Sequence, residues 1–349
     1  MKFAASLVAL FSLAAAAPQA PTPLDVKLEM ADNSAVKATI TNNGKTDLKV
    51  FKTGTIFDEA AIQKAQITRE DGSLGNEVPF QGIRQRISAQ NLDDAAFEHI
   101  PAGQSVAVTF NVGEVHDLSS GGTFNIRSSG IMQFAGQNST QLIGSVPYTS
   151  NSIRAEIHGP KAASIHEAFR VSKRSATQRD CRGSKYTASM RALRNCAKLA
   201  AMAQYAAQTN SRKVYEYFKS STPGTRYQVA LVFNKVAIEC GATNRGVSRF
   251  YCTDLYNGCS QGVLAYTMPD LGYQIYCDLY FRTLPSVTYT CHSQDQASTT
   301  LHEMTHLRAI ADTSDYAYGY QNIMTLGTAY ALNNAESYSL FANAVLSKC

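Results

Sequence analysis

All eight cysteines of this 349-residue chain lie in its second half, at Cys181, Cys196, Cys240, Cys252, Cys259, Cys277, Cys291 and Cys349. An even set of cysteines in a chain that carries a secretory leader implies disulfides, so a cross-linked unit is expected over one half only. No two of them stand in C-x-x-C spacing, which leaves a thiolate metal site without local support. Spacing alone does not choose a pairing.

The leader itself is "MKFAASLVALFSLAAAAPQA", with a positive Lys2, an apolar run from Phe3 to Leu13 and small residues before Pro18. That order reads as a signal peptide over residues 1–19 and predicts a secreted, extracellular protein. No other stretch approaches the roughly 20 apolar residues that cross a bilayer. The C-terminal "SLFANAVLSKC" has neither a lipid-anchor tail nor a prenylation signal, so no membrane partner is expected.

The first half alternates. In "VKATITNNGKTDLKVF" the apolar Val36, Ala38, Ile40, Leu48 and Val50 keep one parity around Asn43-Gly44, which predicts a β-hairpin with a two-residue turn. The same period of two runs through "SVAVTFNV" and "SIRAEI", and the first half is expected to be a sandwich-like β-module. The second half holds 17 of the 18 tyrosines, and there the period changes. "SMRALRNCAKLAAMAQYAAQ" and "YQVALVFNKVAIECG" predict helices, the second stopped by Gly241, while "SVTYTC" is β-rich and "ASTTLHEMTHLRAIA" returns to helix. An α+β unit follows.

Between the halves, Lys173-Arg174 stands in a polar stretch where composition shifts. A dibasic pair at such a boundary predicts cleavage by a processing protease, with residues 20–174 as a β-rich propeptide and 175–349 as the mature domain. The propeptide has no cysteine, so it offers no thiolate to the mature domain. It is expected to inhibit the mature domain, by steric cover or through one of its own histidines or carboxylates, or to assist its folding. His99, His116, His158 and His166 are otherwise read as ordinary surface or core residues.

Residues 1–174 carry 16 basic and 16 acidic side chains and residues 175–349 carry 16 and 11. No basic run or RNA-binding aromatic motif accompanies that excess, which excludes a nucleic-acid partner from the reading. A monomer is expected. Asn138-Ser139-Thr140 is a glycosylation sequon in the segment expected to be removed.

The chemistry is concentrated in "TTLHEMTHLRAIADTSDYAYG". Residues four apart on a helix are separated by about 400°, so His302 and His306 stack on one face and can reach one cation. Glu303 sits beside that point and can take a proton from water, as in H-E-x-x-H peptidases. Leu301, Met304, Leu307, Ala309 and Ile310 support a helix, with Ser298 or Thr299 as N-cap.

A catalytic zinc needs a third protein ligand, and Asp312, Asp315 and Glu336 are the acids downstream. Asp312 fits H-E-x-x-H-x-x-G-x-x-[HD] spacing, but Ala309 replaces the glycine that turns the chain there. If the helix continues, Asp312 lies roughly 120° off the histidine face and about 9 Å along the axis. Asp315 follows a polar run that favours leaving the helix and folding back. Glu336 is an isolated distal candidate.

H-E-x-x-H followed by a G-T-x-D-x-x-Y-G motif is the mark of the deuterolysin-type aspzincins, secreted fungal zinc endopeptidases also called neutral protease II, and this sequence resembles them. Here the second motif is "DTSDYAYG", in which Thr313, Asp315, Tyr318 and Gly319 match and Asp312 replaces the leading glycine. The resemblance implies an α+β zincin-like catalytic domain behind a β-rich, sandwich-like propeptide domain. It implies one Zn2+ per chain on His302, His306 and Asp315, Glu303 as general base and Tyr318 at the oxyanion. It implies Cys181–Cys252, Cys259–Cys277 and Cys291–Cys349 bridges, leaving Cys196 and Cys240, on two predicted helices, as a fourth.

Peptide and protein substrates follow, with a family preference for basic proteins such as histones and protamines. The mature half is net positive, so such a preference needs a local acidic cleft, to which Asp312 is a candidate contributor. Two rival readings remain in view. "GCSQG" formally matches the G-x-S-x-G serine-hydrolase elbow, with Ser260 as nucleophile, although that motif needs a strand before it and a helix after it. The other is a non-catalytic zinc-binding protein, against which Glu303 and Tyr318 argue.

Overall fold

The structure is a computed structural model and describes residues 23–70, 77–90, 92–171, 180–242 and 245–349. The expected signal peptide and Lys173-Arg174 lie outside the described residues. Alternation builds the N-terminal region. Leu24–Met30 and Ala35–Asn42 each bury every second side chain and pair antiparallel, Val26 opposite Ile40, and Ser105–Asn111 flanks the latter on its other side.

A second sheet runs in the order Leu142–Thr149, Ser129–Ala135, Leu48–Phe51, Phe97–Ile100, and a third in the order Ile153–Ile157, Gly122–Arg127, Gln66–Arg69. Val26, Ile40, Val50, Ile67, Ile126 and Met132 meet in one core shared by all three. Removal of that apolar area from water is the main term holding the region together.

The hairpin expected around Asn43-Gly44 does not form. Ala35–Asn42 and Leu48–Phe51 belong to different sheets. A two-residue hairpin turn of the favoured type needs positive φ at both central residues, and neither Asn43 nor Gly44 has it. Instead the Asn42 side chain organises a wider turn: Nδ2 donates to the carbonyls of Thr46 and Ile100, both at 2.9 Å, and Oδ1 accepts from Gly44 N at 3.0 Å.

The C-terminal region is built on helices Gly183–Thr209 and Pro223–Gly241, which pack together with Gln296–His306 and Ala335–Ser347. Ala200, Ala203 and Ala207 are fully buried, and their small side chains let Val229, Phe233, Leu301, Met304 and Phe341 close on the long helix. Thr222 caps the second helix by accepting from Thr225 N, and Pro223 occupies its first turn, where a missing N–H costs nothing. Four disulfides join Cys181 to Cys252, Cys196 to Cys240, Cys259 to Cys277 and Cys291 to Cys349.

The β-rich stretch "SVTYTC" is not a strand. Its backbone serves the next helix instead: Thr288 N donates to Asp295 Oδ2 at 2.7 Å, and the preceding Pro285 carbonyl accepts from Gln296 N. Among the described residues no helix is long and apolar enough to cross a membrane. The chain is thus mixed α and β, with strands concentrated before residue 158 and helices after it.

One sheet joins the two regions. Its order is Arg249–Tyr251, Tyr273–Tyr276, Val263–Met268, Arg84–Ile87, so its outermost strand comes from the N-terminal region. That strand runs antiparallel to Val263–Met268, with Ile87 opposite Val263 and Arg84 opposite Thr267.

Candidate metal centre and active site

The helix Gln296–His306 is buried along its whole length. Its N-cap is Asp295, not the Ser298 or Thr299 expected from sequence. The Asp295 carboxylate accepts from Ser298 N at 2.6 Å, and the Ser298 hydroxyl reaches back to Asp295 N, a reciprocal capping box. A buried helix start cannot leave its amides to water, so a carboxylate cap is the stable solution.

The helix does not run on through Ala309. It stops at His306, with Leu307 already extended at φ −60° and ψ 131°. The amides of Ile310, Ala311 and Asp312 then converge on the Leu307 carbonyl, and Asp312 at φ +50° turns the chain back. Asp312 therefore stands away from the metal site because it is the turn itself, not because it lies around a continuing helix. Its side chain is exposed and faces Arg308 Nε at 3.9 Å.

Past that turn, Thr313 N donates to the Thr305 carbonyl and Ser314 bridges to Asn334, which returns Asp315 to the histidines. Asn334 fixes the loop: its Oδ1 accepts from the amides of Tyr316 and Ala317, and its Nδ2 donates to the Ala317 carbonyl. Gly319, at φ +77° and ψ 153°, has a conformation that side chains resist, and its amide donates to Glu336 Oε1 at 3.2 Å.

The result brings three of the expected residues to one point. His302, His306 and Asp315 offer ligand atoms that lie within 4.8 Å of one another. Asp315 Oδ1 is 3.2 Å from His302 Nε2, and Asp315 Oδ2 is 3.4 Å from His306 Nε2. His302 Nε2, His306 Nε2 and Asp315 Oδ1 are buried without a hydrogen-bond partner. Three such atoms facing one another are expensive unless a cation satisfies them, so these residues fit a metal ion.

The His306 tautomer supports the same reading. His306 Nδ1 donates to the Thr313 carbonyl at 2.8 Å, which leaves the Nε2 lone pair free. Burial holds His306 down to about 3 and His302 well below the usual imidazole range, so both rings are neutral, as ligands must be. Burial pushes Asp315 up, opposed by the nearby His306 and arginines. A bound cation would reverse that cost.

Glu336 lies on the far side of His302, its Oε2 3.5 Å from Nδ1, where it supports the ring instead of joining the three ligand atoms. A second cluster, Cys291, His292 and Cys349, contains a disulfide and so offers no thiolate.

Glu303 projects from the same helix. Its Oε2 accepts from Thr267 Oγ1 at 2.6 Å, and Oε1 is left without a partner. Burial pushes its carboxyl well above the ordinary range, which makes Glu303 a stronger base than an exposed glutamate. Thr267 escaped the sequence reading, although a polar residue inside the fully buried "VLAYTM" is the signal that could have found it. Asn334 was missed as well.

Tyr318 is held over the site, its hydroxyl donating to the Gln85 carbonyl at 2.7 Å, and burial keeps the phenol protonated. Ser260, the rival nucleophile, sits in a loop before the strand Val263–Met268 and beside the bridged Cys259. A strand follows it, so the strand–turn–helix order of a nucleophile elbow is absent.

A family model described as "Deuterolysin metalloprotease (M35) family" matches residues 1–349. The chain belongs to the deuterolysin family. A neutral protease 2 homolog of Colletotrichum graminicola is 44% identical over 356 residues, covering all of both chains. One of Phaeosphaeria nodorum is 44% identical, covering 99% of this chain and 98% of its own. A zinc peptidase from Grifola frondosa aligns over 47% of this chain and 97% of its own, at 22% identity and a TM-score of 0.40. The family assignment rests on the sequence matches. This deuterolysin-family chain is a zinc metalloendopeptidase.

Proposed function

We propose that this enzyme is secreted as an inactive precursor, processed after Lys173-Arg174, and hydrolyses peptide bonds with one zinc ion held by His302, His306 and Asp315. The observation that carries the ligand set is the convergence of two imidazole Nε2 atoms and one carboxylate oxygen, all buried and otherwise unpartnered. Four disulfides and the exposed sequon residue Asn138 suit an oxidising, extracellular setting.

When bound, zinc supplies a Lewis acid for the peptide carbonyl and lowers the pKa of water toward neutrality. Glu303 Oε1 takes the proton of the attacking water while Thr267 holds Oε2 still. Tyr318 donates its hydroxyl hydrogen bond to the substrate carbonyl oxygen as negative charge grows there. Glu303 then delivers the proton to the leaving nitrogen.

A preference for basic substrates finds support in Glu336, a buried carboxylate beside the site that contacts the Arg86 guanidinium. Asp312, exposed and close to Arg308, is the weaker contributor.

The test compares three variants for bound zinc and turnover of a protein substrate. Glu303→Gln retains zinc and loses about a thousandfold in kcat. Asp315→Ala loses zinc, whereas Asp312→Gly keeps it. Full activity in Glu303→Gln, or zinc retained by Asp315→Ala and lost from Asp312→Gly, overturns the assignment.

A further inference from the structure

The strand Arg84–Ile87 does more than complete a sheet. It lies on the edge of Val263–Met268, the strand that carries Thr267, and crosses directly over the metal site. The Gln85 carbonyl accepts from the Tyr318 hydroxyl at 2.7 Å, and the Gln85 amide donates to Asp315 Oδ2 at 3.2 Å. A peptide carbonyl of the chain's own N-terminal region thus occupies the position proposed for the oxygen of the scissile bond.

The next residue supplies an anchor. Arg86 is 1% exposed, pairs with the buried carboxylate of Glu336, and sets its Nη1 3.3 Å from His302 Nδ1. A guanidinium this deep is stable only with a charge partner, and Glu336 is that partner. Both ends of the strand are tied down. Ser88 N donates to the Gly262 carbonyl at 2.7 Å, Gln294 Nε2 donates to the Ile87 carbonyl at 2.7 Å, and Ile83 packs among Tyr251, Tyr256 and Tyr266. Every one of these contacts is non-covalent, so a cut elsewhere in the chain removes none of them.

We propose that residues 84–87 are a built-in, substrate-mimicking strand that closes the cleft, anchored by Arg86 on Glu336, and that latency persists until this strand dissociates. The inference rests on the peptidase reading and names its regulation. An extended peptide added to a sheet edge gains specificity from the pocket that takes its side chain, here the Glu336 carboxylate.

The test uses the full, zinc-loaded, uncut chain. Hydrogen exchange of the amides of residues 84–87 is compared between the parent, Arg86→Ala and Arg86→Lys, with cleavage of a short peptide followed in parallel. Loss of one partner of a buried charge pair is expected to speed exchange of these amides about a hundredfold in Arg86→Ala. Exchange in Ala35–Asn42 stays unchanged, Arg86→Lys recovers part of the protection, and peptide cleavage appears in the uncut Arg86→Ala chain. Unchanged protection in Arg86→Ala overturns the proposal.

If Arg86→Ala fails to fold, synthetic peptides spanning Phe80 to Gln90, with and without the substitution, are added to parent enzyme activated by proteolysis. The parent peptide should inhibit competitively and the substituted one about a hundredfold more weakly. Equal inhibition, or rapid cleavage between Gln85 and Arg86, overturns the inhibitory role. If no preparation cleaves any peptide while the exchange difference stands, the peptidase reading has failed and the anchor has not.

Discussion

Thr267 donates its hydroxyl to Glu303 Oε2 at 2.6 Å and leaves Oε1 the only unpartnered oxygen of that carboxylate. The hydrogen bond both orients Glu303 and favours its charged form, against burial, which disfavours it.

Thr267→Val keeps the shape and removes the bond. The Glu303 pKa should then rise further, and because the carboxylate is the active form, the acidic limb of kcat/KM should move to higher pH. A hydrogen bond to a charged group is worth about 1.5–3 kcal/mol, so a shift of about one to two pH units is expected. A pH–rate profile with an unmoved limb would contradict this role.

Tyr318→Phe removes a donor that meets the carbonyl oxygen while leaving the His302, His306 and Asp315 cluster untouched. Loss of one oxyanion donor costs about a hundredfold or more in kcat. KM should change by much less, and zinc content not at all. The same substitution also deletes the bond to the Gln85 carbonyl, so exchange at residues 84–87 should quicken in the uncut chain.

Asp312 occupies a left-handed conformation at φ +50° where the family motif carries glycine. Asp312→Gly should therefore bind zinc as the parent does. Asp312→Val places a β-branched side chain there and should cost more than about 1 kcal/mol, weakening zinc through displacement of Asp315. Chelator competition and thermal unfolding read the two effects separately. The Arg308 ion pair lost in both is too exposed to matter much.

The histidine pair, the candidate base and the closing tyrosine were legible because helical spacing and a local motif specify them. The end of the helix was not. Ala309 and Ile310 are compatible with helix, and the stop comes from tertiary pairing of Thr313 with Thr305 and of Ser314 with the Asn334 segment. Arg84–Ile87 was invisible for a different reason. "RQRI" has no apolar alternation: backbone bonds and a buried charge pair hold it, with Ile87 its one side chain in an apolar cluster. The misread Asn43-Gly44 turn shows the same limit: strand parity was correct on both sides, but it does not say which sheet each strand joins.

His116 offers a last test, one of stability. It is 1% exposed, its Nδ1 donates to the Val78 carbonyl at 3.1 Å, and its backbone bridges to Phe80, four residues before the inhibitory strand. Burial lowers its pKa from 6.5 to about 4. A depressed folded-state value means that the unfolded chain binds the proton first. The stabilisation is whole above pH 6.5 and is lost as pH falls through about 4, a change of about 3 kcal/mol. Urea unfolding of the N-terminal region at a series of pH values, followed by exchange in Ala35–Asn42, should show that decline. His116→Gln, which cannot titrate, should flatten it. An equal pH dependence in the two chains would assign the acid sensitivity to other groups. With Phe80 leading into Arg84–Ile87, the same protonation should also loosen the strand over the metal site.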